Sequence, residues 1–137
     1  MYQETLHIKT SGRGTQNISH AIQEVVSNSG IQTGLCHVFV KHTSASLIIC
    51  ENADPDVRAD LEDWLVREVQ DGDPRYRHSM EGADDMAAHI RSILTKMDQT
   101  LPVTQGRLAL GTWQGLFLYE HRYHGHQRSI VVTVSGN

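Results

Sequence analysis

Residues 46–69, SLIICENADPDVRADLEDWLVREV, carry the reading that decides the fold. The short apolar run from Ser46 to Glu51 has the composition of a strand and stops at Asn52. Asp54 then stands directly before Pro55. An aspartate oxygen can accept the free amides of a helix's first turn, and proline suits the first helical position because no partner awaits its missing N–H. Beyond it Val57, Leu61, Trp64, Leu65 and Val69 form a stripe of helical period that ends at the turn residues DGDP, 71–74. A strand runs straight into a capped helix.

The flanking sequence repeats both elements. Residues 2–10 alternate as a strand, and 17–28 place Ile18, Ile22, Val25 and Val26 on one helical face, with Asn17 as cap and Gly30 past the end. LCHVFVKH, 35–42, reads as a strand just ahead of 46–51. After a polar loop, a helix is expected from Asp84 to Leu94, burying Met86, Ile90, Ile93 and Leu94. From residue 100 the chain is β-rich: TLPVT, RLALG, WQGLFLYEH and RSIVVTV, separated by glycine or polar turns, read as an antiparallel meander. Strands, two central helices and strands again predict an α+β fold: one compact domain over 1–137, mainly antiparallel, with about three helices.

Composition excludes several functions. Twelve basic against sixteen acidic residues give a formal net charge of −4, which argues against a nucleic-acid binder; the Arg122–Arg128 segment could still hold a phosphate. The N-terminal segment alternates and lacks the apolar core of a signal peptide, and no apolar run nears the ~20 residues of a membrane span. Cys36 and Cys50 lie in apolar runs and read as buried thiols. A soluble cytoplasmic protein is expected. No G-x-S-x-G, C-x-x-C or H-E-x-x-H motif is present, so covalent hydrolase chemistry has no support.

Histidines dominate the remaining polar signals. His42 ends a strand on the face of Cys36, Val38 and Val40; it is either a core-edge imidazole satisfied by the backbone or a ligand in a dry pocket beside Thr43, Ser44 and Ser46. His89 follows Asp85 by four residues, a spacing that lets a carboxylate hold one ring nitrogen while the other binds a metal. A surface ion pair explains it equally well. His78 precedes Glu81, Asp84 and Asp85, which could help coordinate a cation, though acids at a helix start also favour its dipole. His121, His124 and His126 straddle a turn and read first as a polar hairpin tip, second as a zinc or copper site. On 113–120, Gln114 and Glu120 share a face with Leu116 and Leu118, so they need partners or line a cavity. SGRG, 11–14, could be an anion nest with Arg13, or an ordinary turn into the following helix.

Taken together, HTSASLIICENADPDVRADLE (42–62), HSMEGADDMAAHI (78–90), LPVTQGRLALGTWQGLFLYEHR (101–122) and the closing RSIVVTVSG resemble the YjbQ-like, or secondary thiamine-phosphate synthase, family of small bacterial and archaeal proteins. The resemblance spans nearly the whole chain in order. It implies a compact α+β homotrimer whose site gathers His42, His78 and His89 around a divalent metal, zinc or magnesium. It also places Thr43, Ser44, Glu51, Gln114 and Glu120 near that site. From this we expect Glu51, Gln114 and Glu120 as catalytic residues. Thr43 and Ser44 are expected to bind a phosphorylated metabolite, and Arg128 is added from chemistry alone, as are Arg13 and Arg107 as further partners of a leaving pyrophosphate. Met86 stands where many members carry asparagine.

The implied activity joins a pyrimidine-methyl diphosphate to a thiazole phosphate and releases pyrophosphate, which makes a transferase the expected enzyme class; the same reaction could be a side activity. Two rivals stay open: another metal-dependent enzyme such as a hydrolase using metal-bound water, and a non-catalytic trimer that binds a phosphometabolite.

Overall fold

The computed structural model describes residues 1–137. In chain order the elements are β1 (Tyr2–Lys9), β2 (Gly14–Asn17), α1 (Ser19–Ser29), β3 (Thr33–Val40), β4 (Ala45–Glu51), α2 (Pro55–Glu68), α3 (Asp85–Leu94), β5 (Asp98–Thr104), β6 (Arg107–Leu108), β7 (Gln114–Glu120) and β8 (Gln127–Gly136). The strands form two antiparallel sheets, one ordered β1-β8-β3-β5-β6 and the other β2-β7-β4. This is the expected α+β domain with three helices.

Side-chain alternation explains where the core lies. Cys36, Val38 and Val40 of β3, Ile130, Val132 and Val134 of β8, and Leu101 and Val103 of β5 share the inner face of the large sheet. Leu47 pairs Leu118, and Ala45 pairs Glu120, on the inner face of the small one. Both faces meet Ile18, Ile22, Val25 and Val26 of the first helix in one core. The opposite face of the small sheet carries Ser46, Tyr119 and His121, all buried.

The decisive stretch behaves as expected at its start: Asp54 Oδ1 accepts the Asp56 amide at 2.9 Å, with Pro55 in the first turn. Three other expectations need correction. The C-terminal strands are not a meander: β7 belongs to the small sheet, whereas β8 inserts between β1 and β3. Alternation fixes which way side chains face but not which strand is the neighbour. The first helix begins at Ser19, because Gly14–Asn17 pairs with β7 as an extra strand; Asn17 Oδ1 accepts the Ser19 amide at 2.9 Å.

The third correction concerns α3, which turns its polar face inward. Asp85, Ala87, Ala88, Arg91 and Ser92 are buried, while Met86 and Ile90 are half-buried and Ile93 and Leu94 are 79% and 57% exposed. Arg91 has partners on the small sheet and α2 that hold the helix in this rotation. In α2 likewise, Leu65 and the C-cap Val69 just past its end are buried but Leu61 and Trp64 are exposed.

Candidate functional site

The start of α3 collects the densest constellation of ligating atoms. His78 Nε2 lies 2.6 Å from Asp85 Oδ2, and His89 Nε2 lies 3.1 Å from the same oxygen. One ligand atom from each of His78, Asp85 and His89 falls within 4.8 Å of the others. Helical spacing produces half of this: residues 85 and 89 stand one turn apart on one face. The loop before α3 folds back to bring in His78.

Neighbours fix the orientation of the trio. His89 Nδ1 is 3.0 Å from the Thr43 carbonyl, an acceptor only, so Nδ1 carries the proton and a neutral His89 points its Nε2 lone pair at Asp85. Two imidazole nitrogens thus face one carboxylate oxygen, an arrangement that a shared proton or a cation would bridge. Arg122, just past β7, donates from Nη1 to Asp85 Oδ1 at 2.6 Å, from Nε to Asp84 Oδ2 at 2.9 Å, and from Nη2 to the Glu81 carbonyl at 2.9 Å. Burial raises the Asp85 pKa, but His78, His89 and Arg122 outweigh it and hold the carboxyl below its usual range. Asp85 is therefore ionised and rigid, while His78 and His89 keep side-chain exposures of 43% and 29%. A hollow of about 200 Å³ lined by Gly72, Asp73, Tyr76, His78 and Ser79 opens beside them.

The structure separates the residues expected to share the site. His78 and His89 come together; His42 does not join them, and Asp85 occupies the third place. His42 Nε2 accepts the Ser129 amide at 2.8 Å, and burial followed by the nearby Arg128 guanidinium lowers its pKa, keeping the ring neutral for that role. Thr43 is exposed and contributes its carbonyl to His89. Ser44 Oγ accepts from Arg128 Nη2 at 3.0 Å. Glu120 pairs with Arg128 through Nε at 2.8 Å and through Nη2, and accepts from Thr10 Oγ1 at 2.6 Å. Burial raises the Glu120 pKa, but Arg128 and Thr10 outweigh it and keep the group ionised. Only Nη1 of Arg128 is left without a partner in the chain.

Glu51 and Gln114 sit together at the other end of the β4–β7 ladder, six residues from Ala45 and Glu120, or ~20 Å along a strand. Glu51 Oε2 accepts the Ala53 and Asp54 amides, and Gln114 Oε1 accepts the Gly111 amide. Both side chains shape turns within this chain. Arg13 makes a bidentate pair with Asp71 at 2.9 Å, so neither it nor Arg122 is free for a phosphate.

The histidine run also divides. His121 is fully buried; its Nδ1 accepts from Arg91 Nε at 3.2 Å, which leaves the ring proton on Nε2, 2.8 Å from Ser46 Oγ. The imidazole thus donates to the serine and cannot take its proton, the reverse of what a serine nucleophile requires. Arg91 also binds Glu62 and Tyr119, while Tyr119 donates to Glu62 at 2.5 Å. His124 is exposed and His126 half-buried at the turn.

The family model described as UPF0047 protein YjbQ-like matches residues 4–137. The chain belongs to the UPF0047 YjbQ-like family. A UPF0047 protein of Synechocystis is 58% identical over 98% of this chain and 92% of its own length. The UPF0047 protein YjbQ of Salmonella typhimurium is 46% identical, with 98% of each chain covered. A conserved hypothetical protein of Thermus thermophilus superposes with a TM-score of 0.86 at 34% identity, covering 96% of this chain and 99% of its own. As a YjbQ-like protein the chain carries no helix long and apolar enough to cross a membrane. The residue that spacing underused is Asp85: the H-x6-D-x3-H pattern over 78–89 holds the whole trio.

Proposed function

We propose that this YjbQ-like protein is a cytoplasmic, divalent-cation-dependent enzyme acting on phosphorylated small molecules, with His78, Asp85 and His89 as the cation ligands. The convergence of two imidazole nitrogens on the Asp85 carboxylate carries this reading. Two nitrogens and one carboxylate favour zinc or a similar transition metal over magnesium, which prefers oxygen. Three protein ligands would leave coordination positions for substrate. When bound, such a cation neutralises charge on a departing pyrophosphate.

The family resemblance supports the thiamine-phosphate synthase reaction. The pyrimidine-methyl carbon breaks its bond to the diphosphate oxygen and forms one to the thiazole nitrogen, and pyrophosphate leaves. In this chain, Thr43 holds His89, and Arg122 holds Asp85, so neither ligand has to reorient during turnover. The test supplies both phosphorylated precursors and zinc to the purified protein. Thiamine phosphate should form, and Asp85→Asn should remove most of the turnover while the fold remains. Undiminished turnover in Asp85→Asn would refute this site. Zinc-dependent phosphate release without coupling would favour a hydrolase at the same trio, and saturable substrate binding without turnover a phosphometabolite binder.

The reading includes a homotrimer, as the resemblance implies. Leu61 and Trp64 of α2 and Leu94 of α3 line a hollow of about 190 Å³ with Ile48, Leu65 and Tyr119. The accessible surface of 7797 Å² exceeds the ~7,200 Å² typical of a monomer this size. A second copy of the chain is the cover these side chains fit.

A further inference from the structure

We infer that the cleft between β1 and the 122–126 turn is a separate anion site that binds a phosphate-bearing small molecule through His7, Lys9 and His126. The inference does not rest on the cation reading. The cleft encloses about 460 Å³ and is lined by His7, Lys9, Thr10, Gly125, His126 and Gln127, with no apolar side chain among them. That volume lies within the ~300–1,000 Å³ of small-molecule sites, and the lining gives a hydrophobic ligand nothing to bury against.

Strand register builds one wall. His7 pairs Ser129 and Lys9 pairs Gln127, so alternation places His7, Lys9 and Gln127 on the same outer face of the β1–β8 ribbon. The turn builds the other. The Thr10 amide donates to the His126 carbonyl at 2.8 Å, and the His126 amide donates to Thr10 Oγ1 at 3.0 Å. A Cβ on Gly125 would stand 2.2 Å from the Thr10 carbonyl oxygen, so only glycine lets the turn come this close. His126 is thus held on a fixed backbone.

The unspent donors point to the ligand's charge. His7 uses Nδ1 toward Ser129 Oγ at 3.1 Å, and His126 uses Nδ1 toward the His124 carbonyl at 2.8 Å. Nε2 of each ring makes no hydrogen bond within the chain, and Lys9 has no ion pair. No carboxylate lines the cleft. Glu120 lies 3.8 Å from His126 Nδ1 and is already neutralised by Arg128 in a buried pair. Within a chain of net charge −4, this is a cavity whose charged and titratable lining is wholly basic. An ammonium and two imidazoles that can donate from Nε2 once protonated match a tetrahedral oxyanion.

Pyrophosphate is the probe. It is titrated calorimetrically into the full-length protein, with the imidazole carbon–proton signals of His7 and His126 followed by NMR. Saturable binding should move both signals together. Lys9→Glu, an exposed change that spares the core, should weaken binding at least about tenfold, as should His126→Ala. Asp85→Asn should leave it unchanged, so the cation reading can fail without affecting this one. Binding that survives Lys9→Glu in a folded protein overturns the site. Loss of binding in Asp85→Asn, or unmoved His7 and His126 signals up to roughly 10 mM pyrophosphate, does the same.

Discussion

His121 and His89 differ in almost everything except residue type. Each has both ring nitrogens engaged, and each belongs to a network held by an arginine. His121 is sealed: Arg91, Ser46 and Tyr119 enclose it, and burial followed by the Arg91 charge pushes its pKa down to about 2. His89 stands at the rim, beside a carboxylate that also meets His78, with an open hollow adjoining. In the sealed region the bonds are spent on the fold, with Arg91 Nη1 the one guanidinium nitrogen left unpartnered. At the rim two imidazole nitrogens converge on one carboxylate where a ligand can reach them. Burial and the direction of the free lone pair, more than the presence of histidine, separate a structural polar centre from a chemical one.

The largest expected effect breaks the sealed region. Arg91→Met removes the guanidinium that binds His121, Glu62 and Tyr119, leaving buried polar groups without partners. Removing one member of a buried charged network destabilises by about 3–5 kcal/mol, which urea unfolding would read directly. A loss under about 1 kcal/mol would mean that this network is slack and that the contrast with the rim is misplaced.

At the rim, a cation is expected to stabilise the fold. Zinc at one hundred times its dissociation constant should add about 2.7 kcal/mol, several degrees in melting temperature for a chain this size. Asp85→Asn and His89→Ala should each abolish the increment. An equal zinc shift in both variants would place the ion elsewhere.

Acid should act first on the two histidines whose pKa is lowered in the fold, His121 of the sealed region and His42. The pKa of His121 is depressed when folded, to about 2, so the unfolded chain takes up a proton near the ordinary 6.5 and the folded one does not. The contribution is complete above 6.5 and is lost as pH falls below it, with an initial slope of about 1.4 kcal/mol per pH unit. The depressed carboxyls of Asp84, Asp85 and Glu120 add their loss only below the usual carboxylate range. A stability curve flat between pH 6.5 and 5 would show that His121 is not held neutral.

What could be read beforehand divides along a similar line. The cap at Asp54–Pro55 and the alternation in 35–42 and 127–136 are local, so the elements they specify were legible. Sheet partnership was not, because β7 and β8 carry similar alternation yet enter different sheets. The rotation of α3 was misread for a related reason. Ile93 and Leu94 look like core, and the pull of Arg91 inward comes from Tyr119, His121 and Glu62, tens of residues away. His78 and His89 stood out through motif and spacing. The third member, Asp85, was visible only as a helix-start acid, and His42 gained its place from the resemblance, where the single chain gives it a backbone amide to hold.

The smallest effect on stability belongs to the outward face of α3. Ile93 and Leu94 contribute little to the core of one chain, so Ile93→Lys and Leu94→Lys should change urea stability measured below the assembly concentration by less than about 0.5 kcal/mol. Their consequence should appear in mass. If a second copy covers Leu61, Trp64 and Leu94, a lysine at 94 places an unpaired charge in that contact and sedimentation should shift from trimer toward monomer. A wild-type protein that sediments as a monomer at all concentrations would leave the rotation of α3 to Arg91 alone, and the helix would then be fixed by the sealed network with no contribution from assembly.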